Sequence, residues 1–142
     1  MDITIRNYNP ITDYEWVKKL YMDSSTYGWQ YDDARDTSIK LESLVKDEPN
    51  KILIAEISSH IVGTLTLFED GRAAWLYRFA VQSEYEQEIT KALFDHGKSL
   101  LKEMWHTQVL VYAPSWDSHF EQRYTNLWMN KWNDFTAYWT DI

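Results

Sequence analysis

Ile3, Ile5 and then Tyr8 alternate with polar residues before Pro10 stops the run, the pattern of an edge strand. Thr12-Asp13-Tyr14-Glu15 predicts a capping box, with Thr12 as the cap and Glu15 three positions on. The helix behind it carries Trp16, Val17, Leu20 and Tyr21 as one apolar stripe. Ser24 to Asp36 is polar and aromatic without a period and reads as a loop. Ile39, Leu41, Leu44 and Val45 mark a second helix over about Thr37 to Lys46, and Pro49 punctuates its end. Three apolar runs follow closely: Ile52 to Ile57, Ile61 to Phe68 after a tight Ser58-Ser59-His60 turn, and Ala74 to Val81 after Asp70-Gly71. That last dipeptide is the strongest hairpin signal in the chain. Ile89, Ala92, Leu93, His96, Leu100 and Met104 recur at helical spacing and predict one long amphipathic helix. A short strand over Val109 to Ala113, a helix from about Asp117 to Asn126, and strand-like aromatic sequence to Ile142 complete the pattern. One extra short strand near Met129 to Trp132 fits the same sequence.

The order is β-α-α-β-β-β-α-β-α-β. A three-strand meander followed by a strand–helix–strand crossover implies an α+β fold, an α/β sandwich. Its sheet is expected to be mixed and mostly antiparallel, of about six to seven strands, with helices on both faces. With 142 residues, four Gly and three Pro, the chain 1–142 is expected to be one domain without a long linker.

Composition narrows the partners. Lys and Arg number 14 against 22 Asp and Glu, for a net charge of -8. A surface of that sign repels nucleic-acid backbones and anionic membranes, and favours a cationic small molecule or a basic protein. Cysteine is absent, which excludes disulfides, thiolate nucleophiles and Cys-type zinc sites. No His/Asp/Glu cluster has metal-ligand spacing, so no metal is expected. The start of the chain is unlike a secretory leader and no apolar run reaches membrane length, so the expected location is cytoplasmic. Eight Trp, ten Tyr and five Phe make an unusual aromatic load. Trp116, Trp128, Trp132 and Trp139 gather near the C-terminus, where they serve either the core or an interface, including that of a homodimer.

Three stretches carry a family resemblance that spans nearly the whole chain. Ile54-Ala55-Glu56 through Ile61-Val62-Gly63-Thr64-Leu65 is one, and Phe79-Ala80-Val81-Gln82-Ser83-Glu84-Tyr85 is the second. Asp117 through Arg123-Tyr124-Thr125-Asn126-Leu127-Trp128-Met129 is the third. In this order and spacing they resemble the GNAT superfamily of acyl-CoA N-acetyltransferases. The family's pyrophosphate loop (Arg or Gln, two residues, Gly, one residue, Gly or Ala) is degenerate here. Gln87-x-x-Thr90-x-Ala92 fits it only with Thr in place of the first Gly, and Glu84, Glu86 and Glu88 stand where a diphosphate would sit. At about 6 Å and an effective dielectric near 20, each like-charge pair costs roughly 3 kcal/mol before screening.

The resemblance implies transfer of an acetyl group from acetyl-CoA to a primary amine. It places backbone N–H groups of Phe79, Ala80 and Val81 along the pantetheine arm and the thioester carbonyl. Gln87, Glu88, Ile89, Thr90 and Lys91 fall at the pyrophosphate, Asp117 beside the cofactor or at the helix start, and Tyr124 as the acid for the departing thiolate. Tyr27, Trp29, Tyr31 and Asp32 fall in the family's variable acceptor loop, where aromatic faces and a carboxylate suit a cationic amine. Plainer readings stand beside these. Tyr124 is also a packed helix aromatic, Asp117 a simple N-cap, and His96 a core histidine on the apolar face. His119 is expected to face solvent, Arg78 serves substrate or structure, and Glu56 and Glu69 are candidate bases at default surface positions. The alternative function is a GNAT-fold binding or regulatory module that no longer takes CoA.

Overall fold

The computed structural model describes residues 1–23 and 31–142. Its sheet has four strands in the order β1 (Ile3–Asn7), β2 (Ile52–Ile57), β3 (His60–Glu69) and β4 (Ala74–Val81). Every pair is antiparallel, from Ile3 opposite Ile57 at one edge to Glu69 opposite Ala74 at the other. Alternate residues of a strand point to opposite faces, and both faces of this sheet are covered. Ile52 and Ile54 join Val17, Leu20, Tyr21, Leu41 and Val45 from helices α1 (Tyr14–Asp23) and α2 (Ser38–Val45). Leu53 and Ala55 join Ile89, Leu93, Phe120 and Tyr124 from α3 (Glu86–Glu103) and α4 (Ser118–Asn126).

Local chemistry explains the boundaries. Ser58 and Ser59 both take positive φ, 49° and 65°, the geometry of a two-residue hairpin turn whose twist matches its strands. Asp70 closes the next turn by accepting from the N–H groups of Arg72 and Ala73. Thr37 caps α2 through the N–H of Lys40. The capping box expected at Thr12 is replaced, because the Thr12 hydroxyl donates to Asp13 and the Asp13 carboxylate is engaged by the N–H of Asn9 and by Arg6. A Cβ at Gly63 would lie 2.6 Å from Ile89 Cγ2, so glycine lets α3 sit directly on β3. That close approach fixes where the first turn of α3 meets the end of β4.

Among the described residues the sheet has four strands rather than the six to seven expected, all paired antiparallel. Val109 to Ala113 contributes one parallel bridge, in which Leu76 N–H donates to the Leu110 carbonyl and Leu110 N–H to that of Ala74. Further along β4 the carbonyl of Phe79 accepts from the Arg123 guanidinium of α4. No strand forms between Met129 and Ile142. The buried stripe of α3 is also turned: Ile89, Thr90, Leu93, Phe94, Gly97 and Leu101 face the core, while His96 and Met104 are exposed.

Candidate active site

The end of β4 is irregular. Thr64 pairs with Ala80 and Thr66 with Tyr77, so Leu65 stands opposite both Arg78 and Phe79. Arg78 adopts φ 48°, a left-handed conformation that costs a non-glycine residue roughly 1–2 kcal/mol. A bidentate ion pair holds it, with Nε 3.1 Å from Asp36 Oδ1 and the other guanidinium nitrogen 3.0 Å from Oδ2. Asp36 is 3% exposed, and its Oδ2 also accepts from the N–H of Asp32. The guanidinium rests over the Tyr77 ring, 4.6 Å from its centre. Arg78 is thus a structural charge that ties the segment before α2 to the bulge in β4. Asp36 was not singled out by sequence, although a carboxylate next to the Thr37 cap was visible there.

Phe79, Ala80 and Val81 are all fully buried. Beyond Leu76 their outer backbone edge has no strand partner among the described residues. The chain then makes a helical turn over Ser83–Tyr85 and enters α3 at Glu86. Gln87, Glu88, Ile89, Thr90 and Lys91 therefore lie inside a helix rather than in an open loop. A helix leaves its first N–H groups free and commits those of the second turn, so donors come from the start of this run and not from Thr90 or Lys91.

The three loop carboxylates are disposed differently. Glu84 and Glu88 are exposed; Glu84 accepts from the Tyr85 hydroxyl and holds its pKa above the usual value. Glu86 turns inward, where Oε1 accepts from Nε of Arg123 and lies 3.7 Å from Nε2 of His119. Arg123 also donates to the Phe79 carbonyl at 3.0 Å and faces the Phe79 ring at 5.2 Å. One guanidinium thereby links α4, the start of α3 and the edge of β4. Sequence reading passed over Arg123, though a cation three places after Phe120 in an apolar helical stripe calls for a buried carboxylate.

Tyr124 is buried beside this link, in the same cluster as Phe79, Phe120 and Leu127. Asp117 is the N-cap of α4, its Oδ1 accepting from the N–H of His119 at 3.0 Å. On the other face of the sheet the Tyr31 hydroxyl lies 3.3 Å from that of Tyr14, and the Lys18 ammonium sits 5.0 Å over the Tyr31 ring. Burial raises the pKa of Tyr14, and the Tyr31 hydroxyl adds to it. Asp32 Oδ1 accepts from the N–H groups of Ala34 and Arg35. Tyr27 and Trp29 lie outside the described residues. Glu56 pairs with Arg6 at 2.6 Å. Glu69 bonds the buried His106 at 3.0 Å, which together with the Gly71 N–H lowers its pKa.

The structure thus gathers Phe79, Val81, Ile89, Thr90 and Tyr124 on one side of the sheet and keeps Tyr31 and Asp32 on the other. A cleft of about 280 Å³ opens between Trp16, Lys19, Leu20 and Asp23 of α1 and residues 81–84. A second, of about 300 Å³, lies around residues 47–51, Leu101 and Met104. Of the residues assigned by resemblance, Val81 alone lines either one. Among the described residues, no group of three His, Asp or Glu side chains is placed to hold a metal ion, and no helix is long and apolar enough to cross a membrane.

No family model and no curated protein matches the sequence. Solved structures do match. An aminoglycoside antibiotic 6'-N-acetyltransferase from Acinetobacter baumannii superposes with a TM-score of 0.77 at 14% identity, over 99% of each chain. The PaiA N-acetyltransferase from Thermoplasma acidophilum, in complex with coenzyme A, gives 0.73 at 22% identity over 89% of each. Glucosamine-6-phosphate N-acetyltransferase from Arabidopsis thaliana gives 0.70 at 13% identity, over 99% of this chain and 100% of that one. The chain has the GNAT fold. At these identities the likeness is one of architecture.

Proposed function

We propose that this protein is an N-acetyltransferase that moves an acetyl group from acetyl-CoA to the primary amine of a cationic small molecule or protein. The observation that carries the reading is the break in β4. The bulge at Arg78 and the unpartnered edge through Phe79, Ala80 and Val81 leave main-chain donors beside the N-terminus of a helix. The surroundings fit a diphosphate better than the sequence implied, because the charge of Glu86 is met by Arg123 while Glu84 and Glu88 face solvent.

Acetyl-CoA would supply the acetyl group as an activated thioester. Backbone N–H groups of Phe79, Ala80 and Val81 would hold the pantetheine arm and polarise the carbonyl. The first-turn N–H groups of Gln87 and Glu88 would receive the diphosphate, with Ile89, Thr90 and Lys91 behind them. As the amine nitrogen bonds to the carbonyl carbon and the C–S bond breaks, the Tyr124 phenol would give its proton to sulfur, and the proton shed by the amine nitrogen would pass to solvent, from which the phenolate regains one. A phenol, whose reference pKa is near 10, carries its proton at neutral pH. Asp117 would fix the start of α4 and so the height of Tyr124. Tyr31 and Asp32, with Tyr27 and Trp29 before them, would receive the cation. Neighbours named for aminoglycoside and glucosamine-6-phosphate acetylation support a small amine acceptor.

A second reading, a binding module without CoA, has one observation in its favour: Arg123 already occupies the Phe79 carbonyl. A thermal-shift titration with acetyl-CoA separates the two, since a ligand at 100 times its Kd stabilises by about 2.7 kcal/mol. The enzyme reading expects that shift, thiol release with cationic amines, and a Tyr124→Phe variant that keeps the shift but turns over more slowly. Absence of any shift at millimolar acetyl-CoA selects the binding module. Unchanged turnover in Tyr124→Phe removes Tyr124 from the chemistry.

A further inference from the structure

Glu86 is the first residue of α3. A carboxylate at that position ordinarily faces water and meets the positive end of the helix from outside, as Glu88 in the same turn does. Glu86 points the other way. Its Oε1 accepts from Nε of Arg123, and its side chain keeps 21% of its surface where that of Arg123 keeps 1%. The contacts of the carboxylate run through this oxygen, which His119 also approaches at 3.7 Å. Oε2 is buried with no hydrogen-bond partner among the described residues.

A guanidinium so far from water needs a carboxylate beside it, and Glu86 supplies one. Buried pairs of this kind add little net stability over apolar residues of the same volume. What this pair adds is direction. The guanidinium is a rigid planar fork, so setting Nε on Glu86 also sets where Nη1 points, and Nη1 donates to the Phe79 carbonyl at 3.0 Å. Pinning a carbonyl oxygen pins the whole planar peptide unit, here the one that joins Phe79 to Ala80 directly after the bulge in β4. The outer edge of β4 has no strand partner there among the described residues, and the Arg123 fork is what touches it. Tyr124 follows Arg123 on α4, so the same contact carries the candidate acid along with the strand edge.

We propose that Glu86 is a positioning residue for acetyl transfer: acting through Arg123, it fixes the Phe79 carbonyl and so the main-chain donors of residues 79–81 that would face the thioester. The proposal rests on the acetyltransferase reading. Glu86→Gln keeps an oxygen for Arg123 and removes the charge. It is expected to lower kcat by about tenfold to a hundredfold and to change KM for acetyl-CoA by less than about threefold, since slightly displaced donors still bind the arm but stabilise the developing oxyanion poorly. Glu103→Gln, the same charge change at the far end of α3, is expected to leave both constants unchanged. The double variant Glu86→Gln/Arg123→Met separates position from stability. Removing both charges avoids leaving one buried alone, so its urea midpoint should return most of the way to the parent value while kcat stays low. A purely structural pair predicts instead that kcat returns with the midpoint. One readout needs no substrate: the Phe79 carbonyl-carbon resonance is expected to move in Glu86→Gln and to stay in place in Glu103→Gln. An unmoved resonance, a loss confined to KM, or a kcat restored in the double variant overturns the proposal. A parent that neither binds acetyl-CoA nor releases thiol overturns the acetyltransferase reading and the catalytic role of Glu86 with it. Failure of the proposal alone looks different, because parent and Glu86→Gln then turn over alike.

Discussion

The chain up to Glu103 and the chain beyond it are held by different means. In the first part, charges lock irregular backbone into place. Arg6 bridges Asp13 and Glu56 across β1, β2 and the start of α1, and Arg78 at its left-handed φ is clasped by Asp36. In the second part α4 is still tied in by Arg123, on Glu86 and the Phe79 carbonyl, but five of the eight tryptophans fall after Glu103, and all five are exposed. Apolar residues alone therefore did not extend the sheet. Beyond the Trp75–Leu110 bridge the segment over Val109 to Ala113 makes no further ladder with β4 among the described residues. Aromatic content without a ladder partner leaves surface rather than core.

The largest expected effect is at the clasp. Asp36→Ala would leave Arg78 buried without its carboxylate and remove the acceptor for the Asp32 N–H. Breaking a buried ion pair in this way costs about 3–5 kcal/mol, read as a lowered urea midpoint. A loss below 1 kcal/mol would mean that the bulge supports itself and that charge is not what distinguishes the first part. Gly63→Ala comes next. The added methyl group would meet Ile89 and Leu93 at 2.6 and 3.1 Å, and overpacking of a filled core costs roughly 1–3 kcal/mol. This variant should also displace the start of α3, so hydrogen exchange at residues 86–90 is expected to quicken more than in α2.

Much of the first part was legible in sequence because its signals are local. The alternation at Ile3 and Ile5 and the turns at Ser58-Ser59 and Asp70-Gly71 each depend on a few neighbouring residues, and each stands where it was expected. The face of α3 was misjudged for a physical reason. The expected stripe ran through His96 and Met104, whereas Gly97, which carries no apolar side chain to signal it, lies against the sheet: Leu65 and Leu67 come within 3.3 Å of a Cβ at Gly97, and Phe94 and Leu101 are buried beside it. The strand expected over Val109 to Ala113 meets β4 through a single bridge at Leu110, and pairing with a strand distant in sequence is something no local pattern reports. The same holds at the candidate site. Three glutamates were visible before Ile89, but not that Glu86 would turn inward to a cation from α4.

Asp13→Asn sharpens the comparison further and adds a pH signature. Burial alone would raise the pKa of Asp13, yet its hydrogen bonds from Arg6, the Asn9 N–H and Thr12, with the Arg6 charge, hold it below the usual carboxylate range. A carboxyl depressed in the fold stabilises above its unfolded pKa, about 3.9, and loses that contribution as pH falls through the folded value. Asparagine keeps an acceptor for Asn9 but gives up the charged pair, at about 1.5–3 kcal/mol near neutral pH. The gap between parent and variant is expected to close as the pH drops below about 4. A gap that stays constant down to pH 2 would show that geometry, not charge, holds this corner.

The smallest effect is expected in the second part, at Trp116. Were this tryptophan a core residue, as its position before α4 allows, Trp116→Ala would cost about 3–5 kcal/mol. It is 83% exposed, beside a turn that closes through its backbone, with Asp117 N–H donating to the Pro114 carbonyl and Asp117 capping the helix through its own side chain. Nothing in that arrangement uses the indole, so the urea midpoint should move by no more than about 0.5 kcal/mol equivalent. Measuring it beside Asp36→Ala puts the contrast on one scale. A loss at Trp116 that rivals the loss at Asp36 would mean that the aromatic residues beyond Glu103 form a core of their own, and the distinction between a charge-locked and an aromatic, open half would fall.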